Sequence, residues 1–441
     1  MLWRFPRSGR GDVQGNAIMS IVVMKFGGSS VADADKIRAA ARRAIAAHEK
    51  GQQVAMVVSA MGDTTDDLEK LAYQVAANPD KREWDQLMVT GEQVTISLMA
   101  MALRDLGVPA ISFTADQIGM VTDGVHTKAR LLRINARRIR RELDEGKIVI
   151  IAGFQGVTAN GDMTTLGRGG SNVTLVAIAA ALKAQQCENY TDVDGVYTAD
   201  PRIVPTARKL ASISYDEMLE LASLGANVLH NRAVEFAKKY RVPIHVRNSQ
   251  NENQGTLIVA ETAAMENIVV RGAALKDKLA RITLRHLPDR PGVVARIFHV
   301  IAEADIVVDD ILQTVNPAGR ATVSFTIDLR ELNDALTVCE RLKNDFTDLE
   351  ISHVTDLAKV SVVGVGMRVH TGVAERMFKA LADAKINIEN ITTSEIKISC
   401  IIDREQGPEA LRLVHDAFDL GTGPLKETRK RGKKRAGRAS K

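Results

Sequence analysis

From Ile21 onward, short apolar runs alternate with longer segments whose apolar residues recur at helical spacing. IVVMKF (21–26), QVAMVVSA (53–60), ISF (111–113), KIVIIAGF (147–154), the stretch near Cys187–Tyr190 and PIHVRNS (243–249) read as strands. Between them, Asp35–Lys50, Trp84–Leu106, a basic run from Ala129 to Glu145, and 172–184 read as helices. Strands that alternate with helices of this length predict a mostly parallel sheet covered on both faces. A polar break at 248–256 (NSQNENQGT) ends that pattern.

The C-terminal third repeats itself. Residues 280–313 and 358–391 each read as strand, Gly-containing turn, amphipathic helix and second strand, at matched spacing. Each continues into further strand pattern (ATVSFTIDL; EIKISCIID) and a second helix (333–345; 407–418). That is β-α-β-β-α-β twice, the ferredoxin-like arrangement, and two copies point to paired small modules with a shared interface.

Charge changes the picture less than the totals suggest. The 441 residues carry a net +5 and a pI near 9.0. Residues 425–441 hold nine Lys or Arg and one Glu, and residues 1–18 hold three Arg and one Asp, so the body between them is mildly acidic. The tail lacks aromatics and periodicity and reads as a disordered, solvated segment; a nucleic-acid partner is not expected. Cys187, Cys339 and Cys400 lie far apart, which supports neither a disulfide framework nor a zinc site and suits a reducing cytosol. The longest apolar run, Val173–Leu182, is too short for a bilayer, so no membrane partner is expected. Met19, directly before the first strand, reads as a start, with residues 1–18 a misassigned or disordered extension.

Five segments carry candidate chemistry. KFGGSS (25–30) closes the first strand; its glycines let successive N–H groups approach phosphate oxygens, with Lys25 as a cation, although a plain strand-end turn uses the same glycines. TTLGRGGSN (164–172) puts an Arg and a Gly-rich loop at a helix start, an anion site by dipole, N–H groups and guanidinium. TDVDGVYTADPRIVP (191–205) ends a strand in Asp192 and Asp194 and reaches Asp200 before its closing Pro, at the edge where open α/β sheets bind ligands. SAMGDTTDDL (59–68) and VTGEQV (89–94) complete the set; Glu92 taken singly reads as a solvated helix-start carboxylate.

Together and in order, these segments and GANVLHNRAVEFA (225–237) resemble the aspartate kinases (aspartokinases) of the amino-acid kinase fold, over residues 20–420. The resemblance implies a three-layer αβα sandwich, residues 19–262, followed by two ferredoxin-like (βαββαβ) ACT domains. The first ACT domain would span 275–350 and the second 266–274 plus 355–420, one inserted in the other. It implies transfer of the ATP γ-phosphoryl group to the side-chain carboxylate of L-aspartate, giving 4-phospho-L-aspartate, the first step toward lysine, threonine and methionine. A carboxylate is already nucleophilic, so positioning and charge neutralisation, with Mg²⁺ held mainly through the phosphates, would do the catalysis. Lys25, Arg168 and Glu92 are the implied catalytic groups. ATP would meet Lys25, Phe26, Gly27, Gly28, Ser59, Thr191, Asp192, Tyr197, Arg202, Asn227 and Val228. Aspartate would meet Ser59, Thr65, Glu92 (its ammonium), Arg168 (a carboxylate), Gly169, Gly170 and Ser171. No dedicated protein metal site is expected.

Where the family usually has GRGGSD this chain has Asn172, and where it has GAKVLHP this chain has Asn227 and Asn231; Gln93 replaces a frequent Arg. Losing an Asp and a Lys together leaves neither charge unpaired. The alternative reading is a catalytically impaired amino-acid-sensing paralogue. The ACT resemblance implies an effector, lysine or threonine or both, near Asp289, Gly292, Asp309, Gln313, Asn387, Ile388 and Glu389. It also implies a homo-oligomer through the ACT domains, with Met265 a possible internal start for a regulatory subunit, and a cytoplasmic protein.

Overall fold

A computed structural model describes residues 20–225, 228–261 and 268–421. The N-terminal extension, Met19, Asn227, Met265 and the basic tail lie outside the described residues. The chain divides into two compact units, at Asn189 and Tyr190, inside the stretch the sequence reads as one catalytic domain.

In the first unit, β1 (Ile21–Phe26), β2 (Gln53–Val58), β3 (Ala110–Phe113) and β6 (Ile148–Ala152) form a parallel set ordered β1-β2-β6-β3, with β9 (Gln186–Thr191) beside β1. Every residue of β1, β2 and β6 is buried, so both faces of the sheet are covered. Each fully buried Val or Ile there contributes about 1.5–3 kcal/mol by leaving water. The covering helices are α1 (Ala34–Glu49), α4 (Thr90–Asp105), α5 (Arg137–Asp144) and α6 (Gly170–Leu182). Two further helices, α2 (Thr64–Val75) and α3 (Lys81–Met88), lead into α4. A smaller sheet runs β5-β4-β7-β8, built from β4 (Val121–Thr122), β5 (Leu131–Arg133), β7 (Gln155–Val157) and β8 (Met163–Thr165).

Two expectations need correction here. The helical run 84–106 is broken at Val89, whose carbonyl is shared between a long 3.4 Å bond from Gln93 N–H and the Gln155 side-chain amide at 3.3 Å. The basic run 129–145 is not one helix. Ala129 N–H donates to the Thr165 carbonyl and Arg130 N–H to Asp123, which starts β5, and Asn135 Oδ1 accepts from Arg137 N–H to begin α5 late. Tertiary pairing overrides the helical spacing there.

In the second unit, β10 (Ser212–Ser214), β11 (Ile244–Asn248) and β12 (Thr256–Val259) are ordered β10-β12-β11, beside α7 (Tyr215–Ser223) and α8 (Asn231–Tyr240). The two repeats share one antiparallel sheet, β14-β15-β13-β16-β18-β17. Its strands are β13 (Gly272–Pro288), β14 (Ile311–Val315), β15 (Arg320–Asp328), β16 (Glu350–Val363), β17 (Asn390–Thr393) and β18 (Lys397–Asp403). The start of β13 pairs with the end of β16 (Gly272 opposite Val363), whereas its later part pairs with β15 (Ile282 opposite Phe325). One long strand therefore serves both modules.

The helices are α9 (Val293–Glu303) and α10 (Leu332–Arg341) in the first module, and α11 (Val373–Asp383) and α12 (Gly407–Ala417) in the second. Left-handed Gly292 and Gly372 precede α9 and α11, a spacing two residues longer than the matched blocks suggest. The extra residues sit in a short 3-10 turn, Val365–Val369.

Candidate active site

Phe26, Val58 and Ala152 lie in register, so β1, β2 and β6 end flush, and Gly27–Gly28, Ser59 and Gly153 follow them directly. Ser59 N–H donates to the Phe26 carbonyl (3.2 Å) and Gly153 N–H to that of Val58 (3.0 Å). Gly28 is required by space rather than by φ. A Cβ there would stand 2.9 Å from the Ala60 carbonyl oxygen and 3.0 Å from that of Gly62. On the other side of the same segment, a Cβ on Gly91 would stand 2.9 Å from Ala60 Cβ. Residues 59–62 are thus wedged between the first-strand turn and the start of α4, which brings three of the sequence motifs together. Lys25 is buried at the end of β1, and Thr65 is half-buried in the first turn of α2.

Glu92 does not sit in solvent. It is 3% exposed in the first turn of α4; its Oε1 accepts from Ala60 N–H at 3.2 Å, and its Oε2 is buried with no hydrogen bond. Burial pushes its pKa up to about 8, although the N–H groups of Ala60 and of Glu92 itself pull it down. A buried carboxylate with an unused oxygen is a receptor for a cationic group.

The fourth motif joins through Ser171, whose Oγ lies where a Cβ on Gly153 would approach to 2.7 Å. Gly169 holds the left-handed conformation that starts α6, and a Cβ on Gly170 would meet Leu166 Cβ and the Phe154 ring, both at 2.9 Å. Arg168, at the exposed tip, has no hydrogen bond or ion pair among the described residues. Asn172 N–H donates to the Gly169 carbonyl, and its Oδ1 is buried without a partner.

Two contributors escape sequence reasoning. Phe154 takes a positive φ (69°) and its carbonyl accepts from Leu166 N–H at 2.7 Å; the only signal was the Gly-Phe end of an apolar run. Asp85 of α3 is fully buried and accepts from Thr165 Oγ1 (2.6 Å), Thr127 N–H and His126 Nδ1 (2.8 Å). It anchors β8, three residues before Arg168; a single Asp in a helical run gave no sign of this.

The description "Amino acid kinase family" matches residues 20–248, and "ACT domain" matches 282–346 and again 360–418. An aspartokinase of Bacillus sp. (strain MGA3) is 49% identical over 93% of this chain and 100% of its own length. Aspartokinase 2 of Bacillus subtilis is 48% identical over 92% of this chain and 99% of its own. The chain belongs to the aspartokinase family. Among solved structures, E. coli aspartokinase III in complex with aspartate and ADP superposes with a TM-score of 0.77 at 25% identity, covering 90% of this chain and 100% of that one. The mixed α/β fold, the catalytic class and the two ACT domains expected from the sequence therefore stand.

The remaining candidates of this aspartokinase lie in the second unit and are largely satisfied among themselves. Thr191 Oγ1 donates to Asp192 (3.0 Å), and Asp192 is exposed. Asp194 accepts from the side-chain amides of Asn248 (2.7 Å), Asn251 (2.9 Å) and Asn253 (3.1 Å), which hold its carboxyl below the usual range. Tyr197 is half-buried, and burial and then Asp194 raise its phenol pKa. Arg202 grips Asp200 through Nε (3.0 Å) and Nη2 (2.6 Å). Val228 is half-buried, and Asn231 begins α8 with its Oδ1 on Arg232 N–H.

In the ACT modules, Asp309 is engaged by fully buried Lys359 (2.7 Å) and by Lys276 (3.5 Å). Burial alone would raise its pKa; the lysines prevail and lower it. Glu389 pairs with Arg281 (2.9 Å), and both line a pocket of about 260 Å³ together with Thr283, Asp310, Ser324 and Asn390. Of the effector candidates only Glu389 lines it; Asp289, Gly292, Asp309, Gln313, Asn387 and Ile388 do not.

No helix of the described residues is long and apolar enough to cross a membrane.

Proposed function

We propose that the first unit holds L-aspartate for attack by its side-chain carboxylate on the γ-phosphorus of ATP, yielding 4-phospho-L-aspartate and ADP. The observation that carries this reading is the pair formed by Glu92, buried with an unused oxygen, and Arg168, a guanidinium without a partner among the described residues. An amino acid brings the complementary charges. The ammonium would ionise Glu92, and a carboxylate would take Arg168 in a bidentate grip. Ser59, Thr65, Gly169, Gly170 and Ser171 would complete the aspartate site.

Lys25, Phe26, Gly27 and Gly28 would hold phosphate, with Thr191, Asp192, Tyr197, Arg202, Asn227 and Val228 contributing to ATP. Mg²⁺ would arrive on the phosphates and neutralise their charge. The aspartate and ADP named for the E. coli relative favour this assignment. The catalytic domain would end near 262, with ACT domains at 275–350 and at 266–274 plus 355–420.

Regulation by an amino acid follows from the ACT modules, and the lysine named for another E. coli aspartokinase III structure favours lysine, alone or with threonine. The fully exposed edge strand β14, with Ile311, Leu312 and Val315 in solvent, favours self-association there. The reading places the enzyme in the cytoplasm at the head of lysine, threonine and methionine synthesis, with Met265 as a second start.

The test is ATP- and aspartate-dependent formation of hydroxamate-trapped aspartyl phosphate by the full chain. Absence of turnover would favour the impaired sensor, a reading that the unpartnered Asn172 Oδ1 keeps in play. Turnover regained in the double variant Asn172→Asp, Asn227→Lys would assign the defect to those positions.

A further inference from the structure

Thr198 is fully buried and carries five hydrogen bonds. Its N–H donates to the Arg208 carbonyl (2.8 Å), and its carbonyl accepts from Ala273 N–H (2.7 Å) at the start of β13. Its Oγ1 accepts from Arg208 N–H (2.9 Å), donates to the Leu420 carbonyl (3.1 Å) and meets His415 Nε2 of α12 at 3.0 Å. A carbonyl can only accept, so the one hydroxyl proton goes to Leu420, and His415 must donate its Nε2–H. The network thus assigns a hydrogen to Nε2, and with no acceptor within hydrogen-bond distance of Nδ1 the ring is assigned as neutral, its lone pair on Nδ1. That Nδ1 is buried without a hydrogen bond, and Asp416 Oδ1 stands off at 3.7 Å.

The apolar contacts follow the same route. Ala199 and Val204, flanking Asp200 and Arg202, belong to the core of the second ACT module beside Val360, Met377, Leu411 and Val414. A Cβ on Gly272 would stand 3.0 Å from the Thr198 carbonyl oxygen, so strand and loop touch backbone to backbone. Among the described residues, the core of the first module draws only on those from Ala280 to Ile351.

We propose that the His415–Thr198 contact is the post by which the second ACT module sets the nucleotide loop, which makes His415 a positioning residue for ATP. Thr198 adjoins Tyr197 and lies four residues before Arg202, so a displacement of α12 moves both candidate nucleotide contacts through a buried, hydrogen-bonded joint. This inference rests on the reading that Tyr197 and Arg202 face ATP.

The experiment uses the full chain and measures kcat, the KM for ATP, the KM for aspartate and the melting temperature. His415→Leu is expected to raise the ATP KM about five- to tenfold, the loss of one buried hydrogen bond, and Thr198→Val, which also strips the Arg208 N–H and the Leu420 carbonyl of their partner, at least as much, with the aspartate KM within about twofold in both. His415→Gln keeps a donor near the Nε2 position and should recover most of the ATP KM. The double variant should be no worse than the worse single one, because both remove the same contact.

Lower melting temperatures with an unchanged ATP KM, or equal rises in both KM values, would overturn the proposal and leave a strut only. Arg202→Ala separates the two layers of the argument. If it leaves the ATP KM unchanged, the nucleotide-loop reading fails; if it raises that KM while Thr198→Val and His415→Leu do not, the positioning role alone fails. Should His415→Leu not fold, Thr198→Val and His415→Gln decide the matter.

Discussion

The candidate groups of the first unit are short of partners, and those of the second are not. Glu92 keeps a buried oxygen unused and Arg168 has no bond among the described residues, whereas Arg202 is clasped by Asp200 and Asp194 is filled by three asparagine amides. An unfilled site binds by gaining interactions, and a filled one by exchanging them. The candidate groups of the first unit should therefore respond to substitution through large losses of affinity or rate, and those of the second through smaller changes in ATP affinity. That contrast can be broken at four places.

The largest effect is expected at Gly28. An Ala there would press its Cβ onto two carbonyl oxygens at 2.9 and 3.0 Å, and backbone cannot yield as a side chain can. Gly28→Ala should lower kcat/KM by about 10²-fold or more, because a displacement on the order of 1 Å at the phosphate turn misplaces the reacting atoms. Steady-state kinetics and a melting curve together check this: activity should collapse while a folded transition persists. Near-normal kcat/KM would mean that the turn has slack.

Glu92→Gln comes next and addresses aspartate alone. Replacing the carboxylate loses a charge-assisted contact worth about 2–3 kcal/mol, so the aspartate KM should rise roughly 30- to 100-fold with the ATP KM little changed. Its pH dependence has a defined sign. Because the folded pKa is raised to about 8, the folded state holds a proton that the unfolded state sheds near 4.5, and stability falls as pH rises between those values. The Gln variant should lack that fall and melt higher than the parent at pH 8 without ligand. In the parent, aspartate must drive the proton off, so its KM should drop as pH rises from 7 toward 8. A flat aspartate KM across that range would show that Glu92 does not meet the ammonium.

The two ends also differ in how much of them the sequence shows. Glycine-rich loops after apolar runs are readable because close approach leaves few residue choices, and the four motifs of the first unit do converge on Ala60 and Gly153. Chain order marked Glu92 as a candidate, but taken singly it read as solvated: a carboxylate at a helix start looks the same whether water or Ala60 faces it. Asp85 and Phe154 were missed for a related reason, since their roles are fixed by partners some 10 to 80 residues away. The βαββαβ repeat was legible from period alone. The sharing of β13 between modules was not, because a 17-residue strand reads the same whichever partner it has at each end. α2 went unread although Leu68, Leu71, Ala72 and Val75 stand at helical spacing, and none of its residues is buried.

Asp194→Asn probes the filled end. It removes one acceptor oxygen and turns an amide toward three other amides, so the loop 248–254 should loosen from residues 191–195. The expected result is a rise of about three- to tenfold in the ATP KM with the aspartate KM preserved, consistent with losing one or two modest hydrogen bonds. An effect as large as that of Glu92→Gln would erase the contrast between the ends.

The smallest effect belongs to His415, and it concerns pH. Burial, helped by the Arg208 charge and opposed by Asp416, lowers its pKa from 6.5; Arg208 is itself pushed down by burial and by Arg271. The folded state thus resists protonating a ring that the unfolded state protonates readily. The stabilisation from the neutral ring is complete above about pH 6.5 and is lost as pH falls from there toward the folded value. Melting temperatures of the parent and of His415→Gln, taken from pH 7.5 to 5.5, should diverge on the acid side, with the Gln variant showing the shallower slope. The ATP KM of the parent should climb over the same interval while its aspartate KM does not follow, because protonation would place a second hydrogen on a ring whose free nitrogen faces no acceptor within hydrogen-bond distance. Parallel slopes in parent and variant would place the acid sensitivity elsewhere and leave the joint at Thr198 indifferent to charge.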